Sequence, residues 1–455
     1  MKITFWNRIV QRFKGQTPCQ QGRRASYKYL EVDHIGLGEK QGRSKNHQST
    51  PASCDNMTSS PALLCMGNPL LDMQINTDEK FLEKYGLKPN DAILADASQK
   101  AIYAEVASLW PVYLAGGAAQ NTGRFAQYVL PENSTVYLGA VGADQLADQL
   151  REANKKAGLK ELYQIVKDFP TGACACLITG HNRSLCTQLG AAEKFSSSHL
   201  KTEAVVKAIE GAKFYYLGGF FLTHGIESAL ELAKAAVEKE KVFSLNLSAP
   251  FISQFFKDNV NQLLPYVDYV FGNESEAAAY ATAHEWSTTD LATIAVRIAS
   301  LPKKVQSRPR IVVITQGAQP TIVACTSTTV FSSPAITKSI ESGHVLTVPV
   351  SPLKSEDIVD TNGAGDAFAG GAIAGLILGK ALEESIEIGH KLGQMCIGQI
   401  GPQLKWPKSF NSSRVQHSQN FLPIKPHPLN VTWPCQRTAS ATNNRSNALG
   451  YCPKV

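Results

Sequence analysis

The sequence lacks several features that would place the protein in a special structural class. No run of apolar residues approaches the roughly 18 that a membrane-spanning helix needs. None of the ten cysteines belongs to a Cys-x-x-Cys pair, which argues against a zinc framework, and Cys174-Ala-Cys176 is better explained by a strand with two thiols on one face. No repeat of solenoid length occurs. These absences favour an ordinary globular protein from a reducing, cytoplasm-like compartment.

Acidic residues are missing from one end of the chain. Residues 411–455 contain five Lys/Arg and no Asp or Glu, and residues 1–60 contain ten Lys/Arg against four acids. The two segments therefore carry +6 and +5, which together exceed the formal net charge of +7 of the whole chain. Because the positive charge belongs to the ends, it is weak evidence for nucleic-acid binding. We expect residues 411–455 to be a disordered tail and residues 1–60 to be a dispensable leader. For the leader, an organelle-targeting peptide, a disordered extension and sequence upstream of a start at Met57 are all open.

Between these ends, residues 61–410 alternate between short apolar runs and helical patterns. The runs predicted as buried strands are 62–66, 113–117, 136–141, 214–217, 243–247, 269–271 and 311–315. Helical patterns such as 228–241 and 291–301 lie between most of them. This alternation is typical of a three-layer α/β domain with a mostly parallel central sheet. Residues 172–190 and 321–350 are rich in Thr, Val and Ile and are predicted to be hairpin-like additions.

The stretch that says most about chemistry is Asp360-Thr-Asn-Gly-Ala-Gly-Asp366, with an apolar helix predicted from Ala364 onward. Gly363 and Gly365 allow a tight turn and a close backbone approach to a ligand. The first N–H groups of a helix lack intrahelical partners and lie at the positive end of its dipole, so the turn predicts an anion-binding site. Asp366 at its mouth is placed to accept a proton from a hydroxyl that attacks a bound phosphate. No Lys-Ser/Thr follows the glycines, so this is not a Walker P-loop, and the alternative is a turn in which Asp366 only supports the helix N-terminus.

Two earlier stretches place polar groups next to predicted strands. Gly67-Asn-Pro-Leu-Leu-Asp72 follows the first strand, where loops of parallel sheets face the ligand crevice, and the Asp72 carboxylate can accept two hydrogen bonds from a sugar diol. Ala115-Gly-Gly-Ala-Ala-Gln-Asn121 precedes an apolar helix predicted from Thr122, and Asn121 offers both a donor and an acceptor. Standing alone, the first stretch is better explained by a strand-end turn with a solvated Asp72, and the Gly-Gly of the second is a common turn.

Taken together, the motifs resemble those of the ribokinase-like carbohydrate and nucleoside kinases, the PfkB family, and their order resembles the branch that phosphorylates adenosine. Seven motifs carry the resemblance: Asn68-Pro-Leu-Leu-Asp72, Gly116-Gly117 with Asn121, His181-Asn-Arg-Ser-Leu185, Gly218-Gly-Phe-Phe-Leu-Thr223, Asn246-Leu-Ser-Ala-Pro-Phe251, Gly272-Asn-Glu-Ser-Glu276 and the stretch from Asp360 to Asp366. They span roughly residues 63–408. The resemblance implies a ribokinase-like α/β/α domain with a small β-rich lid inserted from about 68–95, 110–120 and 172–190.

The resemblance implies a nucleoside site near the lid. The ribose hydroxyls would be bound by Asp72 and Asn121 with the Gly117 backbone, beside Asn68 of the same motif. The adenine ring would pack against Phe221, with Leu94 and Leu185 on the other walls. Ala92, Ala118 and Ala119 stand where the family often has a Gln and a hydroxyl residue, which bears on the choice of nucleoside.

The resemblance also implies an ATP site and a metal. Asp366 would be the general base, and the backbone N–H groups of Asn362, Gly363, Ala364 and Gly365 would stabilise the transferred phosphoryl group. Arg183 would clamp phosphate, the alternative being an exposed hairpin charge. The residues implied at the ATP site are Asn246, Thr315, Gly317 and His390, the last of which is almost as well explained as a satisfied surface histidine. Asn273 and Glu276 would bind Mg²⁺ through waters. A monovalent cation is implied nearby, but residues 393–401 lack the family's usual ending, and no ligand is assigned.

The resemblance therefore predicts ATP-dependent phosphorylation of the adenosine 5′-hydroxyl, giving AMP and ADP. The alternatives are a related kinase for inosine, guanosine or ribose, and a non-catalytic nucleoside-binding protein. We expect a monomer with small-molecule substrates and with no nucleic-acid or membrane partner. We expect a cytoplasmic location, with a nuclear location and mitochondrial targeting by residues 1–30 left open.

Overall fold

The structure is a computed structural model, and it describes residues 60–408 apart from 90, 181, 332–337 and 341–342. The predictions for the leader and the tail fall outside the described residues, apart from Ser60. The strands are β1 (Leu63–Met66), β2 (Leu70–Asn76), β3 (Ala92–Leu94), β4 (Val112–Gly116), β5 (Thr135–Val141), β6 (Lys160–Ile165), β7 (Gly172–Thr179), β8 (Asn182–Gln188), β9 (Phe214–Gly218), β10 (Val242–Asn246), β11 (Tyr269–Asn273), β12 (Ile311–Gln316), β13 (Gln319–Cys325), β14 (Lys338–Ile340) and β15 (Gly343–Val348).

Helices connect most of the strands. They are α1 (Glu79–Lys84), α2 (Ala101–Ser108), α3 (Ala118–Val129), α4 (Gln145–Ala157), α5 (Glu203–Gly211), α6 (Ile226–Glu238), α7 (Pro250–Phe255), α8 (Lys257–Leu263), α9 (Glu274–Ala283), α10 (Leu291–Ser300), α11 (Ala364–Ile377) and α12 (Leu382–Ile397). Short 3₁₀ turns are Gly190–Lys194, Ser197–Lys201, Gly219–Thr223, Leu264–Tyr266, Thr328–Val330 and Ser355–Asp357. Among the helices of this part of the chain, none is long and apolar enough to cross a membrane.

The main sheet has ten strands in the order β14-β15-β13-β12-β11-β10-β9-β1-β5-β6. From β12 to β6 all neighbours run parallel, whereas β13, β15 and β14 add an antiparallel edge. The mostly parallel α/β sheet expected from the sequence is confirmed, and the hairpin-like segment 321–350 forms this antiparallel edge. Alternate side chains of β1 enter two different apolar cores, Leu64 and Met66 on one face and Leu63 and Cys65 on the other. Strands covered on both faces need continuous apolar runs, which is the pattern in the sequence.

Helix α11, which begins immediately after the glycine-rich turn, is buried between two other helices. A Cβ atom on Gly370 would lie 2.6 Å from a backbone oxygen of α3, and one on Gly371 would lie 2.8 Å from a backbone oxygen of α12. A Cβ on Gly375 would meet Ser385 of α12 at 2.8 Å. The glycines therefore permit close helix packing, which fixes the start of α11 relative to the start of α3.

A second sheet of five strands, in the order β3-β8-β7-β2-β4, is built from residues inserted between elements of the main sheet. The segment 172–190 contains the antiparallel hairpin β7–β8. Two expectations change here. Asp72 lies inside strand β2 and not in a turn after β1. The run 113–117 is not a buried strand along its whole length, because β4 pairs only with β2 at the sheet edge and leaves Val112 and Tyr113 54% and 40% exposed.

Candidate active site

A cavity of about 410 Å³ lies between the ends of the parallel strands and the second sheet. The main sheet contributes the residues at the carboxyl ends of β9, β10, β11 and β12, and the second sheet contributes side chains from β2, β3, β7 and β8. The glycine-rich turn and the start of α11 close one end. Most of the residues predicted for the site line this cavity: Asn68, Asp72, Leu94, Gly117, Asn121, Leu185, Phe221, Asn246, Asn273, Glu276, Thr315, Asn362, Gly363, Gly365 and Asp366.

Asp366 is held by a chain of hydrogen bonds that begins at a buried arginine. Asn121 Nδ2 donates to Asp366 Oδ2 at 2.9 Å, and Arg124 Nη2 donates to Asn121 Oδ1 at 2.5 Å and to the Ala115 carbonyl at 2.6 Å. Both residues lie in the first two turns of α3, which begins at Ala118 and not at Thr122 as predicted. Because Arg124 can only donate, its bond to Oδ1 turns the Asn121 amide so that its NH₂ group faces Asp366.

Asp366 and Asp72, two of the carboxylates that line the cavity, hold their protons more tightly than usual. Burial raises the pKa of Asp366 to about 7, the Asn121 hydrogen bond opposes the rise, and the negative charge of Asp72 adds to it. Burial raises the pKa of Asp72 to about 6, and the charges of Arg183 and Arg124 oppose that rise. A carboxyl group with a pKa near neutrality is suited to accept a proton at physiological pH.

Gly117 joins β4 to α3 in a conformation that suits glycine. Its φ is +86°, and a Cβ atom would lie 2.3 Å from the Asn68 backbone oxygen. This close contact brings the start of α3, with Asn121, against the segment that carries Asn68 and Asp72. The paired glycines therefore hold two of the predicted sugar-binding stretches together.

The glycine-rich turn is tied down by Asp360. Its carboxylate accepts from the Asn362 N–H at 2.9 Å, from the Gly401 N–H at 2.8 Å and from Arg183 Nη1 at 2.8 Å. Gly363 caps α11 with φ +76°. The expectation that all four N–H groups from Asn362 to Gly365 are available is wrong, since that of Asn362 is bound to Asp360 and that of Ala364 donates to the Thr361 carbonyl at 3.3 Å.

Arg183 lies on β8 of the second sheet and does not line the cavity among the described residues. Its side chain is 13% exposed, and its partner Asp360 is 11% exposed. The alternative of an exposed hairpin charge is therefore wrong. The ion pair instead links the second sheet to the turn that precedes α11.

The aromatic wall differs in detail from the expectation. Phe221 has no solvent-exposed surface and packs edge-on against Phe195, with ring centroids 5.5 Å apart. The neighbouring Phe220 is half-buried and shares the cavity lining with Phe251, with ring centroids 5.9 Å apart. Phe221 thus forms the back of the wall, and Phe220 and Phe251 give it an accessible aromatic surface.

Asn273 and Glu276 form a capping box at the start of α9. The Asn273 side chain accepts from the Glu276 N–H at 2.9 Å, and Glu276 Oε2 accepts from the Asn273 N–H at 3.0 Å. Burial raises the pKa of Glu276 to about 7. The Asn-x-x-Glu spacing therefore has a structural use, because Asn273 is the residue that caps the N-terminus of the helix.

Of the other residues predicted for the ATP site, some line the cavity and some do not. Asn246 Nδ2 donates to the Tyr216 hydroxyl at 3.1 Å at the cavity wall, and Thr315 also lines the cavity. Gly317 lies in an exposed turn after β12 with φ +56°. His390 Nε2 is 2.8 Å from the Thr321 hydroxyl, so this histidine has a protein partner, and neither it nor Gly317 belongs to the lining.

Two thiols lie beside Asp72 in the second sheet. Cys174 and Cys176 lie on β7 with their Sγ atoms 3.8 Å apart, which confirms that their side chains share one face of a strand. Asp72 pairs with Cys174 across the parallel strands β2 and β7. Asp72 and the two cysteines lie in separate stretches of the sequence, and the pairing of β2 with β7 brings their side chains together.

Comparison with known proteins assigns the family. The pattern of the pfkB family carbohydrate kinases matches residues 79–409. The chain belongs to this family. It is 53% identical to the adenosine kinase of Schizophyllum commune over 352 residues, which are 77% of this chain and 98% of that protein. It is 47% identical to the adenosine kinase of Schizosaccharomyces pombe over 352 residues, again 77% of this chain and 98% of that protein.

Solved structures of pfkB relatives share the fold. Anopheles gambiae adenosine kinase in complex with P1,P4-di(adenosine-5) tetraphosphate is 39% identical, with a TM-score of 0.69, over 75% of this chain and 98% of that one. Schistosoma mansoni adenosine kinase in complex with adenosine and AMP is 34% identical, with a TM-score of 0.69, over 77% of this chain and 100% of that one. The predicted family and its ribokinase-like α/β fold are confirmed, and the chain is a kinase.

Within this pfkB kinase, sequence reasoning missed Arg124, Asp360 as the partner of Arg183, and the aromatic pair Phe220 and Phe251. Arg124 follows Asn121 at i+3, a spacing that puts two side chains on one helical face, but the helix was predicted to begin at Thr122 and so did not include Asn121. Asp360 opens the glycine-rich stretch, but only the tertiary fold brings β8 to it. Nothing in the sequence indicates which of the two adjacent cavity-lining phenylalanines is the more accessible.

Proposed function

We propose that this pfkB kinase transfers the γ-phosphoryl group of ATP to the 5′-hydroxyl of adenosine, giving AMP and ADP. The observation that carries the proposal is the position of Asp366, half-buried at the start of α11, in one cavity with Asp72 and Asn121. Its adenosine kinase relatives at 53% and 47% identity support the choice of nucleoside.

For the nucleoside, we assign the ribose to the polar end and the base to the apolar end of the cavity. Asp72 and Asn121, which are 7% and 4% exposed, offer carboxylate and amide groups to the ribose hydroxyls, beside Asn68. Leu94, Leu185 and the half-buried Phe220 line the cavity, and apolar lining residues of this kind favour a base over a bare sugar.

In the transfer step, Asp366 accepts the proton of the 5′-hydroxyl while the oxygen of that hydroxyl attacks the γ-phosphorus of ATP. The N–H groups of Gly363 and Gly365, at the positive end of the α11 dipole, stabilise the negative charge of the transferred group. Arg183 is a second source of charge, and it reaches the phosphate by leaving Asp360. A side chain on Gly365 would meet no protein atom within 4 Å, so this glycine keeps the cavity open.

As a kinase of this family the chain uses ATP as co-substrate, usually with a divalent metal ion, and we propose that the ion is Mg²⁺. The donor set fits, because Glu276 presents a carboxylate at the cavity wall and the Asn273 N–H fixes its orientation. These two residues would hold Mg²⁺ through waters, which is its usual mode with few protein ligands. When bound, the ion neutralises charge on the ATP phosphates. Thr315 and Asn246 extend this side of the cavity toward ATP.

We further propose that the second sheet acts as a lid over the nucleoside, since β2, β3, β7 and β8 all contribute to the cavity wall. Closure would exclude water, which otherwise competes for the phosphoryl group. We also propose that the kinase acts as a monomer in the cytoplasm, on small-molecule substrates, without a nucleic-acid or membrane partner. The excess of basic over acidic residues is carried by residues 1–60 and 411–455, and none of the residues assigned to the site belongs to these segments.

The test is ADP release by the full chain with Mg-ATP and adenosine, inosine or ribose, together with Asp366→Asn. We expect turnover with adenosine alone, and loss of turnover in Asp366→Asn while adenosine binding persists. Turnover with inosine or ribose instead would overturn the substrate. Binding of adenosine without turnover by the unmodified chain would overturn the reaction.

A further inference from the structure

The second sheet places two thiols and a carboxylate on one buried face. Asp72 on β2 is the register partner of Cys174 on β7, and Cys176 follows two residues later on the same face. A ligand atom of each residue lies within 4.8 Å of those of the other two. The three side chains are 7%, 4% and 0% exposed. The opposite face of these strands carries the apolar residues Met73, Ala173 and Ala175.

We propose that Asp72, Cys174 and Cys176 form a binding site for a thiophilic divalent cation of the zinc class. The Sγ atoms lie 3.8 Å apart. Two sulfur atoms each about 2.3 Å from one tetrahedral zinc ion lie about 3.8 Å apart, so the thiols already stand at the spacing of a shared metal. The Asp72 carboxylate supplies a third ligand of a type that zinc accepts.

Binding of such an ion changes the charge of the site. Each thiol releases its proton when its sulfur binds, so two thiolates and one carboxylate surround a doubly positive ion and leave one negative charge. Arg183 on the neighbouring strand β8 is paired with Asp360, so it offsets only part of that charge. A hard cation such as Mg²⁺ prefers oxygen ligands and is not suited to this dithiol.

The fourth position of the ion would open toward the cavity, because Asp72 and Cys174 both line it. Three protein ligands and one open position are the usual arrangement of an accessible zinc site. If Asp72 also binds the ribose, which rests on the proposed function, the cation and the nucleoside exclude one another. The site would then make the kinase sensitive to free zinc-class ions through its own substrate pocket.

The first experiment titrates the reduced full chain with Cd²⁺ in the absence of ATP and follows the thiolate-to-cadmium charge-transfer absorption. We expect the unmodified chain to show one equivalent that is lost in Cys174→Ala and in Cys176→Ala. The matched control is Cys325→Ala, which removes a buried free cysteine from the main sheet and should keep that equivalent. Asp72→Asn, which keeps both thiols, should retain the absorption but weaken the binding. Equal titrations of the unmodified chain and Cys176→Ala would overturn the site.

The second experiment measures displacement of that equivalent by adenosine in the unmodified chain. Displacement supports the shared use of Asp72. If adenosine binds and leaves the cadmium absorption unchanged, the mutual exclusion is wrong. If adenosine does not bind at all, the proposed substrate fails while the cysteine-dependent titration still stands, so the two failures are distinguishable.

Discussion

The hydrogen bond from Asn121 to Asp366 leads to a prediction about pH dependence. In Asn121→Leu the side chain keeps the number and branching of its heavy atoms but loses the donor that lies 2.9 Å from the Asp366 carboxylate. This bond favours the ionised form of Asp366, so its loss raises a pKa that burial has already brought to about 7. A hydrogen bond to a charged group contributes about 1.5–3 kcal/mol, and one pKa unit corresponds to about 1.4 kcal/mol. We therefore expect a rise of about one to two pH units.

The direction of the expected shift in the pH profile follows from the role of Asp366 as the base. Asp366 accepts a proton only when ionised, so activity falls as pH drops through its pKa, and a higher pKa moves this acid limb to higher pH. The assay is the pH profile of kcat/KM for adenosine at saturating ATP, which reports groups of the enzyme before adenosine binds. Lost ribose contacts would lower the whole profile without moving the limb.

The matched control is Thr122→Val, on the same helix, which removes hydrogen bonds to the Ala118 carbonyl and the Tyr216 hydroxyl but makes no contact with Asp366. Its acid limb should stay in place. An acid limb that is unmoved in Asn121→Leu, or that moves to lower pH, would refute the assignment of Asp366 as the base.

The remaining predictions concern the clamp and a tight turn. Arg183→Gln should lower kcat by about 100-fold or more and change KM for adenosine little, because the charge is needed at the transferred phosphate; a change confined to KM for adenosine would contradict the clamp. Gly117→Ala should lower the melting temperature more than Gly379→Ala. Both positions have φ above +70°, but only at Gly117 would the new Cβ lie against a backbone oxygen, at 2.3 Å. The left-handed strain alone costs about 1–2 kcal/mol, so equal melting temperatures would mean that the turn relaxes.

The order of strands and helices could be predicted from the sequence because parallel strands buried on both faces need continuous apolar runs. Leu63–Met66 and Ile311–Gln316 are such runs, and both lie in the main sheet. The run 113–117 has a similar apolar composition, but it forms an edge strand of the second sheet. Local composition does not determine which sheet a strand joins. The start of α11 could be placed because the conformational needs of Gly363 act within a few residues.

Some features of the site have a local signal in the sequence that the predictions did not use. Asn273 and Glu276 have the spacing of a capping box, which is a local signal that comes before any metal. Arg124 follows Asn121 by one helical turn. Both involve neighbours along the chain, so their pairing depends on helix geometry alone.

Other features were decided only by the tertiary structure. Arg183 meets Asp360 across 177 positions of sequence. Asp72 meets Cys174 across the paired strands β2 and β7, 102 positions apart (174 − 72). Such contacts depend on sheet order and register, and no local property of the chain specifies either. The raised pKa values of Asp72 and Asp366 also arise from burial by distant segments. The sequence by itself determined which chemical groups the kinase carries and where its turns begin; the packing of remote strands decided which groups share a cavity, and therefore their charge.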